Sequence, residues 1–118
     1  MDDLYVDAII DRYRNPLHKG WITETVQTQS KKAHNPSCGD QFELIFQFDA
    51  EKVVDAKWRG DGCAISTVSI DCFCEWAIGK SATQLHTYDK SLIQLQTGVN
   101  SITPAREKCL YLPLALGL

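Results

Sequence analysis

Residues 41–59, QFELIFQFDAEKVVDAKWR, carry the clearest structural signal in the chain. Apolar and polar side chains alternate in two runs, as they do in strands that bury one face. The predicted buried faces are Phe42, Leu44, Phe46 and Phe48 on strand 41–48, and Val54, Ala56 and Trp58 on strand 53–59. A short polar turn at 49–52 joins the two runs, so the sequence predicts an antiparallel hairpin.

The flanking sequence predicts one more strand and several helices. The polar, Thr-rich segment 22–32 is typical of an edge strand, and the segment 33–40 has loop composition. Apolar spacing and capping signals predict helices over 3–14, 64–78, 82–88, 90–96 and 105–116. We therefore expect residues 1–118 to form one α+β domain, a three-stranded antiparallel sheet with helices packed on one face.

Composition excludes several classes of function. The 118 residues are 44% hydrophobic, which favours a compact core over disorder, and the net charge of −3 argues against nucleic acid as a partner. No apolar run is long enough to span a membrane, and the acidic start Met1-Asp2-Asp3 does not resemble a signal peptide. A cytoplasmic, reducing location is the expectation.

Three of the five cysteines have unusual neighbours. Cys38 lies in NPSCGD, Cys63 in GDGCAIS and Cys109 in REKC, all in predicted loops or near helix starts. An odd cysteine count without an export signal favours metal or thiol chemistry over disulfides. Adjacent glycines allow close backbone approach, while a helix start at Cys63 and cations beside Cys109 favour thiolates.

Asp40 stands two residues after Cys38, so both side chains could reach one ion. Zinc and iron accept tetrahedral thiolate ligands, and zinc also accepts a carboxylate. The three cysteines are far apart in sequence, so the fold would have to assemble such a site. From the residues alone, buried structural cysteines and a metal or sulfur site remain comparable alternatives.

Four segments together resemble the U-type iron–sulfur scaffold proteins, the family of IscU, SufU and the N-terminal domain of NifU. They are Tyr5–Gly20 with IIDRYRNP at its centre, NPSCGD at 35–40, GDGCAIS at 60–66 followed by Gly79-Lys80, and PAREKC at 104–109. They occur in the family order. Lys108, where IscU has histidine, and the NPSCGD loop make the chain most similar to a shortened SufU-like member with a SufE/NifU-like fold.

The resemblance implies a site and partners. Cys38, Asp40, Cys63 and Cys109 would hold Zn²⁺ or a nascent [2Fe–2S] cluster. Cys38 would accept persulfide sulfur from a cysteine desulfurase of the SufS or IscS type, and Arg106 would support the thiolates. Cluster carriers or apo-proteins would be downstream partners.

Two mechanisms and one alternative stay open. The chain would be either a scaffold on which a cluster forms or a zinc-dependent sulfurtransferase. The alternative is a small structural zinc-binding interaction domain without sulfur transfer. Cys72 is expected in the core and Cys74 as a spare thiol, while His18, His34 and His86 are expected to be solvent-exposed rather than ligands.

Overall fold

A computed structural model describes residues 3–35, 39–99 and 102–116 of the chain. The elements are α1 (Asp3–Arg14), β1 (Thr28–Asn35), β2 (Asp40–Asp49), β3 (Lys52–Asp61), α2 (Ala64–Ala77), α3 (Ala82–Leu85), α4 (Lys90–Thr97), α5 (Pro104–Leu110) and a 3₁₀ turn (Leu112–Ala115). The strands form an antiparallel sheet in the order β1-β2-β3. This confirms the predicted α+β class and the predicted sheet with packed helices.

The helix α2 forms the centre of the core, between the sheet and the other helices. Ten of its fourteen residues are buried, and it contacts β3, α1, α4 and α5. Such extensive burial explains why apolar residues occur on all sides of this helix, and why most of its polar residues are also buried. Because α2 touches almost every other element, its N-terminus is held in a fixed place relative to the sheet.

A bulge in the hairpin corrects one predicted face. The ladder between β2 and β3 shifts between Gln47 and Phe48, and Phe48 pairs with Val53. Val53 is therefore buried, at 1% exposure, while Val54 is 50% exposed. The prediction that Val54 faces the core is wrong, because an extra residue at a bulge moves the side chains beyond it to the opposite face.

The first strand begins later than predicted. Residues 22–27 are not a strand, and β1 runs over Thr28–Asn35, so the predicted loop 33–40 contributes to both β1 and β2. Before reaching β1, the chain lies along the free edge of β3, where Trp58 N–H donates to His18 O (3.0 Å) and Gly20 N–H to Trp58 O (2.8 Å). The alternating polarity of residues 22–27 therefore predicted a strand where the chain has none.

The C-terminal segment is not the single helix predicted over 105–116. The helix α5 ends at Leu110, and a short 3₁₀ turn containing Pro113 follows. Proline lacks an N–H and its ring clashes with the preceding turn, which favours this break.

Among the described residues, no helix has the length and apolar character needed to cross a bilayer.

A buried carboxylate joins α1, α2 and β3. Asp71 on α2 accepts hydrogen bonds from Arg12 Nε (2.7 Å), Trp58 Nε1 (2.8 Å) and the backbone N–H groups of Leu17 (3.0 Å) and His18 (2.8 Å). Burial by itself would raise the pKa of Asp71, but the bonds from Trp58, Leu17, Arg12 and His18 outweigh it and lower that pKa. We call these groups the Asp71 hub.

Candidate metal centre

Three side chains that are distant in sequence converge at one end of the sheet. Ligand atoms of Asp40, Cys63 and Cys109 all lie within 4.8 Å of one another. Asp40 begins β2, Cys63 is the N-cap of α2, and Cys109 lies in the last turn of α5. Among the described residues, this is the only group of three or more such side chains placed to hold a metal ion.

Asp40 is fully buried, and its two carboxylate oxygens have different surroundings. Oδ1 accepts a hydrogen bond from the backbone N–H of Cys63 at 3.0 Å. Within the described part of the chain, Oδ2 has no hydrogen-bond partner. A buried carboxylate oxygen without a donor is costly, and a cation beside it would remove that cost.

Cys63 occupies the N-cap position of α2. Its Sγ accepts from the backbone N–H of Ser66 at 3.5 Å and lies 3.4 Å from the Ser66 hydroxyl. Free N–H groups and the positive end of the helix dipole favour a negative charge at this position. The side chain of Cys63 is half-exposed, which leaves its sulfur accessible.

Gly62 is needed because of close packing around Asp40. A Cβ atom added at this position would lie 2.6 Å from Asp40 Oδ1 and 2.7 Å from Phe42 Cε2. Both distances are shorter than side-chain carbon atoms tolerate. The glycine before Cys63 thus allows the α2 N-cap loop to approach the Asp40 carboxylate.

Cys109 is held in place from α2. It is 1% exposed, and the next residue, Leu110, has a carbonyl that accepts a hydrogen bond from the buried hydroxyl of Ser69 at 2.5 Å. Carbonyl groups at helix C-termini have no partner within the helix, so this bond satisfies one of them. Ser69 thereby connects α5, which carries Cys109, to the helix that starts at Cys63.

The donor set fits a soft or borderline divalent metal. Thiolate and carboxylate are ordinary zinc ligands at about 2.3 Å and about 2.0–2.2 Å, which places tetrahedral ligand atoms roughly 3.5–3.8 Å apart. The observed limit of 4.8 Å is within a small side-chain adjustment of that arrangement. Cys38 lies outside the described residues, two positions before Asp40 in the connection between β1 and β2.

The remaining predicted residues lie elsewhere. Arg106 is exposed in the first turn of α5. Burial raises the pKa of Cys72 to about 11 and that of Cys74 well above its usual value. Both thiols therefore stay protonated near neutral pH. This confirms Cys72 as core, and it makes the prediction of Cys74 as a spare thiol wrong, since a fully buried side chain is not available to reagents.

The predicted exposure of the histidines holds for two of the three. His34 and His86 are exposed, whereas His18 is half-buried beside β3. None of the three belongs to the Asp40–Cys63–Cys109 group.

Two buried serines near the candidate ligands were missed from the sequence. Ser66 and Ser69 follow Cys63 at three-residue steps, which places all three on one face of a helix. Both serines are fully buried. The spacing was an available signal for Ser66, whose buried hydroxyl has its partners in Cys63 of the same helix turn, but not for Ser69, whose acceptor is the Leu110 carbonyl of α5.

Comparison with known proteins agrees with this geometry. The model of the NifU-like N-terminal domain family matches residues 4–112. Zinc-dependent sulfurtransferase SufU of Bacillus subtilis is 33% identical, over 92% of this chain and 83% of its own length. Iron–sulfur cluster assembly scaffold protein IscU of Streptococcus pyogenes is 36% identical, over 69% of this chain and 49% of its own length.

A solved structure has the same fold along most of its length. It comes from Fervidobacterium islandicum and is described as a candidate iron–sulfur cluster assembly scaffold protein for the SUF system. It superposes with a TM-score of 0.75 at 29% identity, covering 93% of this chain and 90% of that one. This chain therefore belongs to the family of the NifU-like N-terminal domain.

Proposed function

We propose that this protein acts in iron–sulfur cluster biogenesis, accepting persulfide sulfur from a cysteine desulfurase at a site that binds zinc or a nascent [2Fe–2S] cluster. The observation that carries the proposal is the convergence of Asp40, Cys63 and Cys109, together with a buried Asp40 oxygen that has no hydrogen-bond partner among the described residues. Relatives named as a zinc-dependent sulfurtransferase and as a cluster scaffold support both forms of it.

Cys38 is proposed as the third thiolate and as the sulfur acceptor. It precedes Asp40 by two residues, and Asp40 is already at the site. Of the other two cysteines, Cys109 is buried and Cys63 is held by the α2 N-terminus, so both suit the retained ligand role better. Arg106, three residues before Cys109, is proposed to support the thiolates through its charge.

The transfer step is redox-neutral. The Cys38 thiolate attacks the terminal sulfur of the persulfide on the desulfurase. The sulfur–sulfur bond of the donor breaks, and its electron pair leaves on the desulfurase cysteine as a thiolate. The new sulfur–sulfur bond leaves the persulfide on Cys38. A bound metal would supply a positive charge that holds the thiolates together and deprotonated.

Asp40 separates this proposal from a purely structural zinc site. A carboxylate binds a soft metal less firmly than a fourth thiolate, so the site can release its cargo or free a cysteine. Asp40→Cys should stabilise a structural site but should reduce desulfurase-coupled sulfur transfer. Higher stability together with full transfer would exclude the proposed role of Asp40.

The experiment is anaerobic purification without added metal, followed by measurement of metal content, visible absorbance and desulfurase turnover. Zinc at about one per chain and faster turnover would support the sulfurtransferase form. Iron, acid-labile sulfide and visible absorbance would support the scaffold form. A protein that binds zinc yet leaves desulfurase turnover unchanged would instead support the structural alternative.

Cys38→Ser should abolish sulfur acceptance while the protein remains folded.

A further inference from the structure

The side chain of Ser66, in the first turn of α2, lies beside the sulfur of the candidate ligand Cys63. Its hydroxyl lies 3.4 Å from Cys63 Sγ and 3.1 Å from Cys63 O, and its backbone N–H also points to the sulfur, at 3.5 Å. Ser66 is fully buried, whereas Cys63 is half-buried. The hydroxyl is therefore fixed beside a sulfur atom that reagents and partner proteins can reach.

A serine hydroxyl has one hydrogen to donate, and two acceptors are available here. When Cys63 is a thiol, its S–H can donate to Ser66 Oγ while the hydroxyl donates to Cys63 O. A metal-bound thiolate has no hydrogen, so the hydroxyl is drawn to the charged sulfur by rotation about one bond. The Cys63 carbonyl remains satisfied, because the backbone N–H of Thr67 also donates to it at 3.0 Å.

We propose that Ser66 is a positioning residue that donates to the Cys63 thiolate and lowers its nucleophilicity, so that Cys63 retains the metal while another cysteine accepts sulfur. The inference rests on the proposed function. Hydrogen bonds to a ligating sulfur withdraw electron density from it and are a known means of tuning metal sites. Without this donor, the half-exposed Cys63 would compete with the acceptor for the incoming sulfur.

Ser66→Ala is the direct test, and Thr67→Ala is its matched control. Thr67 lies on the next position of the same turn, about 100° around the helix, and its substitution also removes a buried hydroxyl. Ser66→Ala leaves the Cys63 carbonyl bonded to Thr67 N–H, so it creates no unsatisfied carbonyl. Ser66→Thr keeps the hydroxyl and serves as a second variant.

The first readout is the near-ultraviolet sulfur-to-cobalt charge-transfer absorption of protein loaded with Co²⁺. Ser66→Ala should move this absorption to lower energy, because the sulfur becomes richer in electrons, while Thr67→Ala and Ser66→Thr should match the unsubstituted protein. A merely structural role for Ser66 would change the amount of bound cobalt and not the band energy.

The second readout is alkylation of the zinc-loaded protein by iodoacetamide at one fixed pH, with each cysteine followed by mass spectrometry. Ser66→Ala should alkylate Cys63 on the order of tenfold faster, the effect of losing one hydrogen bond to a charged group. Equal rates and band energies in the two alanine variants would overturn the inference and leave the metal site intact. If the unsubstituted protein bound neither cobalt nor zinc, the proposed function would be overturned as well.

Discussion

Two buried aspartates in this molecule have opposite surroundings. Both carboxylate oxygens of Asp71 accept hydrogen bonds from protein donors. The four donors come from α1, from the segment that follows α1, and from β3. Asp40 is equally buried, yet within the described residues only one of its oxygens accepts a hydrogen bond. The saturated carboxylate stabilises the fold, whereas the half-satisfied one is suited to an external cation.

The largest expected effect separates these two residues directly. Asp71→Asn places an amide among four donors and leaves Arg12 without its buried partner, which should lower the free energy of unfolding by about 3–5 kcal/mol. Asp40→Asn keeps the acceptor for Cys63 N–H and should not lower the stability of the metal-free protein. Urea unfolding with a chelator measures both.

The stabilisation by added zinc should distinguish the two variants in the opposite order. It should stabilise the unsubstituted protein and Asp71→Asn, but Asp40→Asn only weakly, because that variant lacks a ligand. Equal losses of metal-free stability in the two variants would contradict the distinction between the aspartates.

Lowering the pH should protonate Asp71 and so reproduce part of the effect of Asp71→Asn. The pKa of Asp71 is lowered in the folded protein, so its contribution to stability is present above the unfolded value of about 4 and is lost as pH falls through the lower folded pKa. The difference in urea midpoint between unsubstituted protein and Asp71→Asn should therefore narrow below about pH 4. A constant difference at all pH values would show that ionisation is not the cause.

Gly62→Ala should have an intermediate effect that is concentrated at the metal centre. Its Cβ would collide with Asp40 Oδ1 and the Phe42 ring, at a cost of about 1–3 kcal/mol and with weaker zinc binding. Gly98→Ala is the control, because a Cβ there meets no atom within 4 Å, although its φ of +76° also disfavours alanine. Zinc titration measures the affinity of both variants. Equal zinc affinities would exclude a special role for Gly62.

The smallest effect lies in the hairpin turn, away from both aspartates. Ala50 and Glu51 have φ of 51° and 69°, a left-handed conformation that non-glycine residues adopt at a cost. Ala50→Asn and Glu51→Gly suit this turn and should each raise stability by about 1 kcal/mol. Thermal unfolding should show the gain, and zinc affinity should not change; a loss of stability would mean that the turn is not strained.

The contrast also shows what the sequence could predict. Alternating polarity identified β2 and β3, and the motifs around Cys63, Cys109 and Asp40 named three side chains that the fold brings together. The same pattern could not reveal the bulge that turns Val54 outward, because a bulge depends on pairing between strands.

The Asp71 hub was also missed. A single aspartate within a helix shows no periodic signal, and the donors to Asp71 come from distant segments. Ser69 escaped notice for the same reason, since its acceptor is the carbonyl of Leu110, in another helix. The local sequence pattern therefore identified the candidate ligands, but not the contacts that hold them in place.

Zinc K-edge X-ray absorption on the anaerobically purified, zinc-loaded protein tests the central claim most directly. The account predicts three sulfur ligands at about 2.3 Å and one oxygen at about 2.0–2.2 Å, with the oxygen replaced by a fourth sulfur in Asp40→Cys. A first shell of oxygen and nitrogen alone, or one that does not change in Asp40→Cys, would contradict it.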